Sequence, residues 1–246
     1  MIIRLNGINL YYKKSGQGDP IILLHGNGQD HTIFRSVRKK LSGSYTVYAI
    51  DSRGHGKSSR VKSLDYQSIM EDVAEFIRVL EIDKPILYGF SDGGIIGLLL
   101  AINYPEMLDK LIISGANLNP DGIKKSVFTV MRAAYFITRS KKLKMMLTQP
   151  DITEEQLSTI VTPTLILAGR HDVVKEEHTR FIASCIEGSE LRILAGESHA
   201  SYVLDNEKLY DTIKTFISRT DRARHVLILY RLVVACIHRY TPTAIK

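Results

Sequence analysis

The segment Gly89-Phe90-Ser91-Asp92-Gly93-Gly94 restricts the fold more than any other stretch of this chain. It stands between two apolar runs, Pro85-Ile86-Leu87-Tyr88 and Ile95-Ile96-Gly97-Leu98-Leu99-Leu100. The first run reads as a buried strand and the second as the body of a helix. A serine held at such a junction must turn sharply and take a strained backbone conformation. Glycines two residues to either side let strand and helix approach closely, and the turn leaves the serine hydroxyl exposed. The positive end of the following helix favours negative charge that develops nearby. A glycine-rich strand-to-helix turn can also be plain architecture, so the chemical reading depends on partners elsewhere in the chain.

The surroundings supply a matching architecture. Ile2 to Leu5 and Asn9 to Lys13 read as two strands joined by an Asn6-Gly7 hairpin turn. Pro20 to Leu24 is a continuous apolar run, as expected of a strand covered on both faces. A helix over Ile33 to Leu41, a strand over Tyr45 to Ile50 and the loop Asp51-Ser-Arg-Gly-His-Gly56 follow. Apolar residues at 69, 70, 73, 76, 77 and 80 give Ser68 to Leu80 a helical period. The helix after Ser91 runs to about Asn103. Strands over Leu111 to Ile113, Thr164 to Ala168 and Leu191 to Leu194, and a helix over Asn206 to Ile217, complete the pattern. The alternation predicts an α/β fold, a mostly parallel sheet with helices on both faces and an antiparallel start. Residues 1–117 and 162–218 are its core. Residues 118–161, rich in Met, Lys and aromatics, read as short helices inserted at the carboxyl edge of the sheet, where they form a lid.

A serine hydroxyl is a weak nucleophile at neutral pH and needs a base, which in turn needs an orienting carboxylate. In this architecture the chain order is serine, acid, histidine. Gly169-Arg-His-Asp-Val-Val174 places Asp172 in the loop after one strand, and Gly196-Glu-Ser-His-Ala-Ser201 places His199 in the loop after the next. A rival acid position after the strand Leu111 to Ile113 holds only Ser114-Gly-Ala-Asn117. Ser91, Asp172 and His199 are therefore the candidate catalytic residues. An oxyanion hole needs two N–H groups aimed at the tetrahedral oxygen. The candidates are the backbone groups of Asp92, next to the serine, and of Asn27, within His25-Gly26-Asn27-Gly28. The other histidines have no matching context: His25 and His55 read as loop residues, and His31, His171, His178, His225 and His238 carry no assigned role.

Taken in order, HGNG, DSRGHGKSS, GFSDGG, GRHDVV and GESHAS resemble the α/β-hydrolase superfamily over residues 1 to about 218. The resemblance implies a Ser91–His199–Asp172 triad, an acyl-enzyme and no cofactor or metal. Serine at position 91 sets the chain apart from the dehalogenases and epoxide hydrolases that use aspartate there. Within the superfamily, GFSDGG with a short lid resembles the biphenyl-hydrolase-like proteins, which include valacyclovir hydrolase. In those the acid after the nucleophile is associated with the α-amino group of aminoacyl esters, and Asp92 holds that position. A carboxylate near the reaction centre would attract a protonated amine and repel a carboxylate. Asp92, Phe90, Met131 and Tyr135 are thus the expected substrate-binding residues. Phe128, Val130, Phe136 and Ile137 are further candidates to cover the pocket.

The expected activity is hydrolysis of a small carboxylic ester or amide, with a preference for an amine near the scissile bond. Alternatives are C–C bond hydrolysis or perhydrolysis on the same fold, or a binding protein on a hydrolase scaffold. The formal charge of +7 is uneven, because residues 219–246 hold six Lys/Arg against one acidic residue. The remainder is close to balanced and has no base-stacking motif, which argues against nucleic-acid binding. Two distant cysteines, Cys185 and Cys236, fit neither a disulfide framework nor metal-ligand spacing. The start, MIIRLNGINLYYKK, lacks the apolar run of a signal peptide, and a cytoplasmic location is expected. The tail segment Val226 to Ile237 is shorter than the roughly twenty residues of a spanning helix. As a helix it offers one apolar face for packing on the core, a homodimer contact, or contact with an anionic membrane surface.

Overall fold

The computed structural model describes residues 1–219, and the expectations for the tail lie outside the described residues. The chain divides into a unit Met1–Thr212, which holds the whole sheet, and a unit Ile213–Lys246. Eight strands form one sheet: β1 (Ile2–Leu5), β2 (Ile8–Ser15), β3 (Asp19–Leu24), β4 (Tyr45–Asp51), β5 (Ile86–Phe90), β6 (Lys110–Ser114), β7 (Thr164–His171) and β8 (Glu190–Ser198). Their order is β1-β2-β4-β3-β5-β6-β7-β8. β2 runs antiparallel to both of its neighbours, and every pair from β4 to β8 is parallel. The chain has the α/β-hydrolase fold.

Local chemistry accounts for the pieces. Asn6 and Gly7 both take positive φ, 46° and 74°, the conformation a two-residue hairpin turn requires. Ile21, Leu23 and Leu24 of β3 have no exposed surface, and neither does their neighbour Ile22, so β3 is covered on both faces. Each such side chain stabilises the fold by about 1.5–3 kcal/mol relative to exposure. Helix α2 (Tyr66–Val79) is capped by Asp65, whose carboxylate accepts from the Ser68 N–H at 2.7 Å. Its stripe of Ile69, Met70, Val73, Phe76 and Ile77 is buried at the core.

The predicted helix over 33–41 is instead a 3-10 turn, His31–Phe34, followed by α1 (Arg35–Leu41). Asp30 caps that turn through the Thr32 N–H. Helix α3 (Asp92–Asn103) follows the serine. Between β6 and β7 lie α4 (Lys125–Thr138), α5 (Lys141–Thr148) and α6 (Glu154–Ser158). Helix α4 buries none of its residues, and Val130, Phe136 and Ile137 point outward at 69–80% exposure. Helix α7 (Glu176–Cys185) joins β7 to β8 and was not read from the sequence. Helix α8 (Lys208–Ile217) begins in the first unit. No helix among the described residues is long and apolar enough to cross a membrane.

The sheet register brings the loops that matter to one edge. Leu24 pairs with Gly89, Phe90 with Ser114, and Ser114 with Leu167, so β3, β5, β6 and β7 end side by side. The strand order reverses at β3, which lies between β4 and β5, and such a switch opens a crevice at the carboxyl ends of the strands. The approach of α3 to the sheet depends on Gly93, where a Cβ would lie 2.2 Å from the Leu24 carbonyl oxygen. Backbone cannot yield as a side-chain tip can. Gly93→Ala should therefore cost about 3 kcal/mol in urea unfolding. Gly188→Ala separates backbone conformation from steric contact: its φ is positive, at 69°, unlike that of Gly93, but nothing lies within 4 Å of the added carbon. Its cost should be about 1 kcal/mol, from backbone conformation alone.

Candidate active site

Ser91 sits at the junction of β5 and α3 with φ 54° and ψ −115°, a strained setting for a side-chain-bearing residue. Its backbone N–H donates to the Ser114 carbonyl of β6 at 2.7 Å, and its own carbonyl accepts from Gly94 and Ile95 of α3. These bonds hold the turn while the hydroxyl stays available. Gly89 and Gly93 make the turn sterically possible, since a Cβ at Gly89 would meet the Gly93 carbonyl at 2.1 Å.

His199 Nε2 lies 3.2 Å from Ser91 Oγ, and its Nδ1 lies 2.7 Å from Asp172 Oδ1. An ionised carboxylate only accepts, so Nδ1 carries the ring proton and Nε2 is left to accept from the serine. Asp172 is 3% exposed, and its Oδ1 also accepts from the Val174 N–H at 3.0 Å. Phe90 packs against the imidazole with ring centroids 4.9 Å apart. Two features of this arrangement escaped the sequence reading. A Cβ at Gly115 would stand 2.7 Å from the His199 ring, so only glycine leaves room for the imidazole–carboxylate pair. Tyr202, three residues after His199, is hydrogen-bonded to Ser114 of β6 at 2.5 Å and anchors the histidine loop to the sheet. A glycine directly after a strand and a tyrosine near the histidine are the sequence signals that could have pointed to them.

The loop after β3 is fixed from below by two buried histidines. His25 Nδ1 donates to the Gly26 carbonyl at 2.8 Å, and Nε2 accepts from the Ser52 N–H at 3.1 Å. One donor and one acceptor define a neutral imidazole, and burial lowers its pKa. The His55 ring lies 5.1 Å away and donates to the Arg53 carbonyl. His178 Nε2 accepts from the Leu118 N–H. His171 is exposed, and His225 and His238 lie outside the described residues. His31 is paired with Asp51 at 2.7 Å. Asp30, His31 and Asp51 bring potential ligand atoms within 4.8 Å of one another. Both oxygens of Asp51 are already engaged there, by His31 and by the Lys57 N–H, so the group serves as a loop clamp.

Asn27 and Asp92 flank the serine. The Asp92 N–H is the first of α3 and has no intrahelical acceptor. Asn27 lies in a turn closed by the Gln29 N–H on the Gly26 carbonyl. The Asp92 carboxylate departs from expectation. It is 4% exposed, and its Oδ1 accepts from the Tyr66 hydroxyl and its Oδ2 from the Asn27 amide, both at 2.9 Å. Burial raises its pKa, opposed by these two hydrogen bonds. A cavity of about 240 Å³ opens at Ser91. Phe90, Asn27, Met131 and His199 line it, with Ile123, Val127, Met146, Val173 and Val174 as its apolar wall. Asp92 and Tyr135 are absent from that lining, and the Tyr135 ring instead meets the Arg139 guanidinium. The Asp92 carboxylate is thus buried against Tyr66 and Asn27, and the Tyr135 ring lies beside Arg139.

A strained serine at a strand-to-helix turn, in line with an imidazole and a buried carboxylate at the carboxyl edge of this sheet, defines an enzyme of hydrolase type. The chain is similar to proteins of the α/β-hydrolase superfamily. A family model for the alpha/beta hydrolase fold matches residues 19–136. The serine hydrolase BPHL of Homo sapiens is 29% identical over 233 residues, covering 80% of this chain and 79% of that protein. The AB hydrolase superfamily protein YisY of Bacillus subtilis is 26% identical over 255 residues, covering 85% and 95%. Among solved structures, an esterase from Exiguobacterium antarcticum superposes with a TM-score of 0.78 at 22% identity, covering 89% of this chain and 98% of that one. A meta-cleavage product hydrolase from Pseudomonas fluorescens gives 0.72 at 20% identity, covering 88% and 95%. These two likenesses concern the fold.

The buried histidines make stability pH-dependent. Burial, and after it the neighbouring His25, pushes His55 from the ordinary 6.5 to about 4. Below pH 6.5 the unfolded chain takes up a proton that the folded chain refuses until about pH 4. Stability should thus fall as pH drops through that window and stay level above it for this group. Unfolding free energies from urea titrations at pH 4.5 and 7 should differ less in His55→Gln than in the wild type, by about 2 kcal/mol.

Proposed function

We propose that this chain is a serine hydrolase acting on a small, uncharged carboxylic ester or amide. The observation that carries the reading is the continuous line from Asp172 through His199 to Ser91, with separations of 2.7 and 3.2 Å, opening onto an apolar cavity. His199 takes the Ser91 proton as the hydroxyl attacks the carbonyl carbon. Asp172 holds the imidazole tautomer and stabilises the imidazolium. The backbone N–H groups of Asn27 and Asp92 bind the oxyanion. His199 then protonates the leaving group, and water repeats the sequence on the acyl-enzyme. Residues 118–161 act as the lid, with Met131 of α4 and Met146 of α5 contributing to the cavity wall.

The lining also informs substrate choice. It holds no Asp, Glu, Lys or Arg, and its polar side chains are Asn27, Gln29, Ser91, Asn117 and His199. An ammonium group next to the scissile bond finds no carboxylate among the lining residues, because Asp92 is not one of them. A carboxylate of a ring-cleavage product finds no Arg or Lys. A fixed charge in such a cavity would lose hydration without a partner. The amine preference expected from the motif is therefore not part of this reading.

Paired p-nitrophenyl esters, one aminoacyl and one its des-amino match, test both points, with Ser91→Ala as the blank. The des-amino ester should be cleaved at least as fast, and Ser91→Ala should lose about 10³-fold or more in kcat. A fluorophosphonate should label the wild type and not the variant. A strong preference for the aminoacyl ester would restore Asp92 as a substrate contact. Absence of labelling and turnover alike would remove the serine hydrolase reading.

A further inference from the structure

Asp92 lies at the centre of a network that reaches the helical insertion at two points. Its Oδ2 accepts from the Asn27 side chain, and the same amide donates, at a longer 3.4 Å, to the Lys142 carbonyl in the first turn of α5. Its Oδ1 accepts from the Tyr66 hydroxyl. The Tyr66 backbone N–H, first in α2 and without an intrahelical partner, donates to Gln149 Oε1 at 3.1 Å. Gln149 is the C-cap of α5, held there by its own N–H on the Met145 carbonyl at 2.8 Å. The two partners of one buried carboxylate therefore each grip one end of the same helix. Between those ends Met145 is buried, and Met146 lines the cavity.

We propose that Asp92, Tyr66 and Gln149 are positioning residues that couple the seating of α5 to the placement of the oxyanion loop. The inference rests on the hydrolase reading for its effect on catalysis, though not for the coupling itself. When α5 is seated, Gln149 holds the start of α2 and the Tyr66 hydroxyl meets Asp92. Asp92 then holds the Asn27 side chain, and the Asn27 backbone N–H is aimed from a fixed loop. Oxyanion donors act through alignment, so a loop freed to move costs transition-state binding more than ground-state binding. Filling the cavity beneath α5 and completing the oxyanion hole would then be one event.

The test uses Gln149→Ala, Gln149→Glu, Tyr66→Phe and Asp92→Asn in the full chain. The first readout is independent of activity: hydrogen exchange of peptides covering residues 25–30. Exchange there should rise at least about fivefold in Gln149→Ala, although Gln149 does not touch that loop, and return toward the wild type in Gln149→Glu, which keeps an acceptor oxygen. The second is kinetic, on the neutral ester. Gln149→Ala, Tyr66→Phe and Asp92→Asn should each lower kcat about tenfold with KM changed by less than about twofold. They should weaken a trifluoromethyl ketone, which forms the tetrahedral adduct, by about the same tenfold. Unchanged exchange at residues 25–30 in Gln149→Ala would overturn the coupling, whatever the activity. Raised exchange with unchanged kcat would overturn the catalytic role. A wild type that neither turns over nor reacts with the fluorophosphonate would instead sink the hydrolase reading, and the exchange measurement would still decide the coupling.

Discussion

The close approach of α3 to β3 and β5 is the constraint on which the site depends. Three backbone segments meet where Gly89 and Gly93 leave no room for side chains, and a single Cβ on either would enter the van der Waals space of a carbonyl oxygen. That contact forces Ser91 into the left-handed region and lifts its hydroxyl over the sheet edge. It also fixes where the Asp92 N–H points, because that group leads the helix. The proposed nucleophile and the proposed oxyanion donor are thus placed by one steric fact, with hydrogen bonds securing rather than creating the geometry.

The cavity at this turn has no Asp, Glu, Lys or Arg in its lining. His25 is held neutral by one donated and one accepted hydrogen bond, and His55 beside it is disfavoured as a cation by burial. The cavity wall is aliphatic, and the carboxylates nearby are engaged inward: Asp172 on His199 and Val174, Asp92 on Tyr66 and Asn27. An apolar wall strengthens the field of a few oriented N–H groups, which is what a developing oxyanion would need. Neutral histidines under the loop give it rigidity without a positive charge that solvent would have to balance.

Much of this was legible in the sequence because the relevant signals are local. Apolar runs such as Ile21–Leu24 announce a strand covered on both faces, and GFSDGG announces the strained turn. The loops carrying Asp172 and His199 follow strands whose order sets them at one edge, and their side chains come together in the structure. What escaped was set by contacts between distant segments. Gly115 matters only because the His199 ring lies against it across 84 positions of chain. Tyr66 opens a helix like many others until its hydroxyl meets Asp92. Helix α7 was missed because its apolar positions are few: only Thr179 and Ile182 are buried, too sparse a stripe for periodicity to register. Asp92 shows the limit from the other side. Its place beside the serine was evident, but whether its carboxylate faces substrate or protein depends on Tyr66 and Asn27, 26 and 65 positions away.

A carboxylate beside the proposed oxyanion hole works against the charge it must tolerate, so its presence needs a physical reason. Neutral alternatives lack its two well-separated acceptor oxygens, each able to take a strong hydrogen bond from a different segment. Here one oxygen takes the side chain of Asn27 and the other the hydroxyl of Tyr66 at the start of α2, and both donors oppose the cost of burying the charge. Replacing the carboxylate with an aliphatic side chain of similar size would strand the Tyr66 hydroxyl and the Asn27 amide in the interior, where unpaired polar groups are costly. In the proposed reading the negative charge is the hub of a clamp rather than bait for a cation. A side chain adjacent to the nucleophile can serve catalysis by what it holds in place, without ever meeting the substrate.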